Sequence, residues 1–243
     1  MSDLLILVDY DNLPSAVTQA GPVNCAKIIL GYVPDETFSI YDSYLVRLYG
    51  GWRANGTSSR SAQRIVPNIQ RESPTVLPAR PPIGTQLKRL VVELAEGPIG
   101  SRTTFDETLA ARRGLRQFRA EPSCLSNCND IGACSMKSFY GLTSNTQCAN
   151  PACPCVLGDL LVRDEQKMVD TLLVSDIAQV IVQRSATTLV IVSSDTDMWP
   201  GVFLALRNGC EVLQIHTRGA RTQGHLLRTL EPRLSTLYKQ TSL

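Results

Sequence analysis

Acidic side chains directly follow two apolar segments of this sequence, a pattern that can bind a divalent cation. The run LLILV leads into Asp9, and LVIV leads through two serines into Asp195 and Asp197. A further acid, Asp170, lies near the start of a long helical pattern. Mg²⁺ and Mn²⁺ take hard oxygen ligands and keep several waters, so one or two carboxylates per ion suffice. Without a cation, gathered like charges would raise one another's pKa values and destabilise the fold.

Each of these acids also has a simpler interpretation. Asp9 could form a turn after its strand, and Asp170 could be a solvated helix residue. Asp195 or Asp197 could cap the helix that begins near Met198, and Asp197 is the better placed of the two. The cation hypothesis therefore depends on whether the acids meet at one edge of the fold.

Short apolar runs predict the strands that would position these acids. The predicted strands are residues 4–8, 43–52, 87–97, 189–195 and 210–217. The helical patterns between and after them are residues 14–31, 60–71, 164–184, 199–208 and about 222–238. Alternation of strand and helix predicts an α/β fold with a central parallel sheet and helices on both faces. Ligand sites of such sheets lie beyond the carboxyl ends of the strands, where the acids stand.

The alternation is interrupted once, between the third strand and the long helix. Residues 97–160 are rich in Gly, Ser, Asn, Pro and Cys, and they include a basic helical pattern at 106–119. We interpret 97–160 as a Cys-rich insertion in a domain formed by residues 1–96 and 161–243.

Six of the eight cysteines lie in this insertion. Clustered cysteines in a cytosolic chain indicate metal ligands sooner than disulfides, and four thiolates suit structural zinc. The candidate zinc ligands are four of Cys124, Cys128, Cys148, Cys153 and Cys155, with Cys134 as a competing choice. None of the spacings is a CxxC, and an iron–sulfur cluster or a redox-active pair remain as alternatives.

Charge and composition restrict the class of protein and its partners. With 43% hydrophobic and 19% charged residues, the chain has the composition of a globular protein, and no apolar run reaches the roughly 20 residues that span a bilayer. The acidic start lacks the basic flank of a secretory signal, so we predict a cytoplasmic protein without a membrane partner. Residues 51–120 carry twelve basic and five acidic side chains. They could follow a phosphate backbone or form a solvated loop, and the candidate nucleic-acid-binding residues are Arg53, Arg60, Arg64, Arg71 and Arg80.

Three blocks of the sequence resemble the signature of the NYN family, which are metal-dependent ribonucleases of the PIN-like superfamily. The blocks are VDYDNL, QKMVDTLLVSDI and VIVSSDTDMWPGV, and SYLVRLYGGW is similar to the second strand of the family. The resemblance covers about 1–96 and 161–225. It implies a PIN-like three-layer fold, a Mg²⁺ or Mn²⁺ site made from aspartates, and cleavage of RNA phosphodiesters. By position, the catalytic and metal-binding residues would be Asp9, Asp170, Asp195 and Asp197, supported by Asn12, Asp11 and Asp176.

Three supporting residues depart from this pattern or have more than one interpretation. Asp176 lies six helical residues after Asp170, about 9 Å further from the strand edge, so we expect it to position or pair rather than to bind a cation. Ser194 stands where the family usually has glycine, and with its neighbouring hydroxyls it could bind phosphate or orient the acids. Lys167, one turn before Asp170, could meet a phosphate or be an ordinary exposed lysine.

The sequence thus predicts a metal-dependent endoribonuclease, with single-stranded DNA as an alternative substrate. A second hypothesis is a catalytically weak or inactive binding module of the same fold, which holds RNA or a protein partner through the basic segment 51–120 and the Cys-rich insertion. A homo-oligomer formed through the insertion is a further possible assembly. A third is a phosphatase of the haloacid dehalogenase type, suggested by Asp9 and Asp11 after the first strand. Leu13 and the lack of a suitably placed lysine argue against the third.

Overall fold

The computed structural model describes most of the chain outside the Cys-rich segment. The described residues are 3–78, 87–113, 147–148, 150–155, 162–166, 168–219, 222 and 224–243. The chain divides into two compact units, Met1–Leu109 with Gln166–Leu243, and Ala110–Glu165. Within the described residues, the helices are all too short or too polar to cross a bilayer.

The strands and helices of the described residues follow one another in this order. The strands are β1 (Asp3–Asp9), β2 (Ser43–Tyr49), β3 (Arg53–Ala54), β4 (Thr57–Ser58), β5 (Thr75–Leu77), β6 (Lys88–Leu94), β7 (Leu109–Arg113), β8 (Val162–Gln166), β9 (Thr188–Val192), β10 (Glu211–His216) and β11 (Tyr238–Ser242). The helices are α1 (Ser15–Gln19), α2 (Pro22–Leu30), α3 (Asp35–Ile40), α4 (Arg60–Glu72), α5 (Val169–Val182), α6 (Trp199–Arg207), α7 (Gly224–Leu227) and α8 (Pro232–Ser235). A 3₁₀ turn, Thr196–Met198, precedes α6.

The central sheet of the first unit has seven strands in the order β11-β10-β9-β1-β2-β6-β5. Neighbouring strands are parallel except β5, which runs antiparallel to β6 with Thr75 opposite Leu90. The prediction of a parallel sheet is therefore wrong at this edge, and the sheet is mixed. The physical reason is the short link from Leu77 to Lys88, since a parallel neighbour needs a crossover of about a dozen residues or more.

Strand β1 lies at the centre of the sheet, and its side chains enter two cores. Leu4, Ile6 and Val8 pack with α2, α3 and α4 on one face, whereas Leu5 and Leu7 pack with α5 and α6 on the other. All five are buried, because a strand covered on both faces has no water-facing side. The prediction of an α/β fold with helices on both faces of the sheet is confirmed.

The strand order creates a crevice beside the end of β1. From β1 the chain proceeds to β2 and β6 on one side, and it later returns to β9 and β10 on the other. In the register of β1 and β9, Val8 is opposite Val192. The residues that follow these two strands are thus adjacent at the point where the strand order reverses, which is the usual ligand position in such sheets.

Several predicted elements differ from the observed ones. The predicted helix 14–31 is two helices, because the chain turns at Gly21, whose φ of 86° favours glycine. The predicted helix 164–184 begins only at Val169, after β8. The predicted helix at about 222–238 is two short helices, and the chain then adds β11 to the open edge of β10.

The basic segment 106–119 was predicted to be helical, and in its described part it is not. Leu109–Arg113 forms β7, which pairs with β8 in a two-stranded sheet that belongs almost entirely to the second unit. Helical spacing of the arginines did not reveal this strand, because its partner lies about fifty residues later in the chain.

Candidate metal centre

Three of the predicted aspartates come together at the carboxyl end of the sheet. Asp170, Asp195 and Asp197 each offer a carboxylate oxygen, and these oxygens lie within 4.8 Å of one another. Asp170 lies in the first turn of α5, and the other two follow β9. Since α5 and the residues after β9 are remote in the sequence, only the folded sheet brings these charges together.

Asp9 lies beside this group at the end of β1, and it is 1% exposed. Its Oδ2 accepts hydrogen bonds from Asn12 Nδ2 at 2.6 Å and Ser193 Oγ at 3.0 Å. Its Oδ1 is buried and has no hydrogen-bond donor among the described residues. Burial raises the pKa of Asp9, and the two hydrogen bonds oppose this shift. A buried acceptor without a donor raises the free energy of the folded protein unless a cation or another positive group contacts it.

Loss of water and electrostatic repulsion both act on the carboxylate of Asp170. Its pKa is raised from 3.8 to about 6, first by loss of water around the carboxylate and then by the charges of Asp9, Asp195 and Asp197. The four acids therefore share one electrostatic environment, although Asp9 is not a member of the closest group of three.

The capping residue before α6 differs from the prediction. Asp195 begins the 3₁₀ turn, and its Oδ1 accepts a hydrogen bond from Asp197 N at 3.0 Å. Asp197 was predicted to be the better cap, but it lies inside the turn. Because the cap uses one oxygen of Asp195, its other oxygen remains for a ligand.

Asp11 is held in a separate set of contacts. Its Oδ2 accepts from Gly51 N at 2.9 Å and from Gln166 Nε2 at 2.6 Å. A Cβ atom at Gly50 would lie 2.7 Å from Cζ2 of the buried Trp52 ring and 2.9 Å from the same Asp11 oxygen, so this position favours glycine. Loss of water around the carboxylate raises the pKa of Asp11, and the two hydrogen bonds lower it. These contacts give Asp11 a role in joining β1 to the turn after β2.

Asp176 is buried in the core, six residues or about 1.7 turns along α5 from Asp170. It is 0% exposed and accepts from Arg47 Nε at 3.0 Å, Tyr49 Oη at 2.6 Å and Ile99 N at 2.8 Å. Arg47 also pairs with Glu93. The contacts of Asp176 connect α5 to β2 and to the segment after β6, and the pair of Arg47 with Glu93 connects β2 to β6.

The other predicted site residues lie in different surroundings. Ser194 Oγ accepts from Arg218 N at 3.0 Å, and Lys167 lies outside the described residues. Among the arginines, Arg60 and Arg64 are exposed on α4, and Arg71 forms an exposed ion pair with Glu72. Arg53 is half-buried and donates to Gly56 O at 2.5 Å, and Arg80 lies outside the described residues. Arg64 lines a groove of about 510 Å³ that Asp11 also borders.

The zinc prediction concerns the second unit and stays a prediction. Cys124, Cys128 and Cys134 lie outside the described residues. Cys148, Cys153 and Cys155 are free thiols, and Cys148 N donates to Cys155 O at 3.0 Å. These three sulfurs do not form a group within 4.8 Å of one another. A fourth ligand and a closer arrangement would be needed for zinc.

Two residues of the site were not identified from the sequence. Arg218 donates from Nη2 to Asn12 Oδ1 at 3.1 Å, although 206 residues separate them. Gln214 donates to Ser193 O at 3.0 Å and accepts from Tyr238 Oη at 2.7 Å, which connects β11 to the residues after β9. The sequence carries no signal for either contact, because an arginine after a strand and a glutamine within one are ordinary surface residues in most sheets.

Comparison of the chain with protein-family models, with curated proteins and with solved structures found no match. The resemblance to the NYN family therefore rests on the three sequence blocks and the second-strand segment alone.

The raised pKa of Asp170 predicts a pH-dependent effect on stability. Because its pKa is raised, the metal-free folded state binds this proton more tightly than the unfolded chain does. That contribution to stability is fully present below about pH 4 and is lost as the pH rises through about 6. The shift corresponds to about 3 kcal/mol, which solvent around this half-buried group reduces to about 1–2 kcal/mol.

In EDTA at neutral pH we therefore expect Asp170→Asn to be more stable than the native protein by about 1–2 kcal/mol. The difference should shrink towards zero below about pH 4. Urea denaturation at several pH values measures this difference, and a variant as stable as the native protein at every pH would show that the pKa of Asp170 is not raised in the folded protein.

Proposed function

We propose that the aspartate cluster binds Mg²⁺ or Mn²⁺ and that the protein is a metal-dependent endoribonuclease. The observation that supports the cation most strongly is Asp9 Oδ1, a buried acceptor without a donor, beside three carboxylate oxygens within 4.8 Å of one another. An unpaired buried acceptor costs about 1–3 kcal/mol, and the neighbouring like charges add repulsion. A doubly charged ion would remove both penalties. A ligand set made only of oxygens fits Mg²⁺ or Mn²⁺ better than softer metals.

Asp9, Asp170, Asp195 and Asp197 are the residues that would hold the cation. When bound, the ion would polarise a phosphoryl oxygen and lower the pKa of a bound water. The chain's own contribution is to fix the acids. Asn12 and Ser193 occupy Asp9 Oδ2, so only Oδ1 is left for a ligand. The 3₁₀ turn holds Asp195 and Asp197 in a fixed spacing through the bond between them.

RNA is the proposed substrate because of the resemblance in the three sequence blocks, which carries over to this chain only as a proposal. Exposed arginines support a polyanionic substrate. Arg60 and Arg64 on α4 face solvent, and Arg64 borders the same groove as Asp11. Such arginines would offset the repulsion between the acidic cluster and a phosphate backbone.

The test is a cleavage assay of the full-length protein on single-stranded and duplex RNA and DNA, with Mg²⁺, Mn²⁺ or EDTA. We expect cleavage of single-stranded RNA with either cation and none in EDTA, because the acids repel phosphate without the ion. Internal cleavage of a circular RNA distinguishes an endonuclease from an exonuclease. Tight binding of RNA with no cleavage under any cation would favour the binding module instead.

A further inference from the structure

A cleft next to the aspartate cluster combines a guanidinium group with several hydroxyls. Its volume is about 310 Å³, and it is lined by Asn12, Ser194, Asp195, Thr196, Thr217 and Arg218. Asp195 belongs both to this cleft and to the aspartate cluster, so the two share a wall. A ligand in the cleft would therefore lie against any cation held by the cluster.

Arg218 has an unusual position for an arginine so close to acids. It is exposed, and its guanidinium donates to the neutral Asn12 Oδ1 at 3.1 Å. Within the described part of the chain it forms no ion pair with a carboxylate. Its main chain is anchored as well, since Arg218 N donates to Ser194 Oγ at 3.0 Å. The residue is thus held at the cleft while its charge is not neutralised by a neighbouring acid.

The hydroxyls of the cleft suit an anion with several oxygen atoms. Thr217 Oγ1 donates to Ser194 Oγ, and Ser194 Oγ donates to Arg218 O, each over a long distance of 3.4 Å, and Thr196 is exposed beside them. Hydroxyls can donate to phosphate oxygens, and a guanidinium binds them in a fork geometry with two donors. Asp195 would repel an anion, but a bound cation reverses the local charge.

We propose that the Arg218 cleft binds a phosphate group of a single-stranded nucleic acid, next to the proposed cation site. This inference rests on the proposed function and deepens it, because it assigns the side on which the substrate backbone lies. Arg218 bonds to Asn12, and Asn12 bonds to Asp9, so one chain of contacts links the phosphate-binding arginine to the cation-binding acid. Arg218 both binds the substrate backbone and holds the Asn12 amide that orients Asp9.

The experiment measures binding without cleavage, in the full-length protein with Asp195→Asn. The probe is a short fluorescent single-stranded RNA in Mg²⁺, and fluorescence anisotropy gives its affinity from about 50 to 200 mM salt. Adding Arg218→Gln should weaken binding about tenfold at low salt and make the slope of log affinity against log salt shallower by about 0.7, the value of one phosphate contact on a single strand. Arg218→Lys keeps the charge and should restore the slope.

The matched control is Arg207→Gln, which removes the same charge from the far end of α6. Arg207 is exposed, its guanidinium lies 5.8 Å from the centre of the Phe203 ring, and the length of α6 separates it from the cluster by about 12 Å. We expect this variant to show the same dependence of RNA affinity on salt as the protein with Asp195→Asn alone. If Arg218 only held Asn12, its replacement would weaken RNA binding without changing the slope of log affinity against log salt. Equal slopes for the protein with Asp195→Asn alone and the protein that also carries Arg218→Gln therefore overturn the proposal.

The two proposals can fail separately. If the native protein cleaves no nucleic acid with any cation while Arg218→Gln still reduces the salt slope, the phosphate site stands and the nuclease proposal fails. If the native protein cleaves RNA and the slopes are equal, the nuclease proposal stands and the cleft does not bind the backbone.

Discussion

Replacement of Asp195 by asparagine is expected to lower the rate of RNA cleavage at least a hundredfold. Asp195 is one of the three acids whose oxygens lie within 4.8 Å of one another, and it borders the cleft of Arg218. Replacement of a residue that only orients a metal ligand typically lowers metal affinity or activity about 10- to 100-fold. Loss of the charge of a ligand itself should therefore lower activity more. Single-turnover cleavage in saturating Mn²⁺ measures the effect.

The fold should survive this substitution. Asparagine can still accept the hydrogen bond from Asp197 N, and removal of one negative charge relieves repulsion in the metal-free protein. The matched control is Glu211→Gln, which neutralises an exposed acid at the start of β10, at the opposite end of the sheet. We expect this control to cleave RNA at the native rate. Unchanged cleavage by Asp195→Asn would mean that the cluster is not the site of chemistry.

Replacement of Asp176 by alanine is expected to lower the free energy of unfolding by about 3 kcal/mol. Asp176 is completely buried and accepts from Arg47, Tyr49 and the Ile99 amide. Its removal leaves these donors buried without their acceptor, and breaking a buried ion pair by removing one partner costs about 3–5 kcal/mol. We take the lower value because Arg47 keeps its contacts with Glu93 and Gly97 O. Urea denaturation in EDTA measures the change.

The control for Asp176 is an ion pair of the same chemistry on the surface. Arg71 Nη2 lies 2.9 Å from Glu72 Oε1, and the two side chains are 71% and 39% exposed. Because water screens such a pair, Glu72→Ala should change the free energy of unfolding by about 1 kcal/mol or less. If Asp176→Ala and Glu72→Ala lowered the free energy of unfolding by the same small amount, Asp176 would not be holding α5 to β2. Asp176→Asn should lose less than the alanine variant, because its amide oxygen can still accept from Tyr49 Oη.

The central strands could be read from the sequence because burial on both sides leaves a clear pattern. LLILV has no polar residue to face water, and it forms β1 in the middle of the sheet. The edges carry no such pattern. β5 has three residues and β11 is polar, so both depend on an open neighbouring strand rather than on their own residues.

The aspartates could be selected from the sequence because each lies just after a predicted strand or near the start of a predicted helix. The role of each aspartate could not be determined from the sequence. Asp176 matched the acidic pattern as Asp170 did, but one lies in the core with Arg47 and the other beside Asp195. Six residues of helix separate their environments, and only the packing of α5 against the sheet decides which of them faces the crevice.

The sequence by itself determined the α/β class, the central strands and the acids at their ends, because these depend on local periodicity and on chain direction. The tertiary structure alone decided the antiparallel edge, the donors that hold Asp9 and Asp11, and the position of Arg218 against Asn12. Such contacts join residues up to 206 positions apart, and no local pattern of side chains specifies which distant partner a polar group will meet.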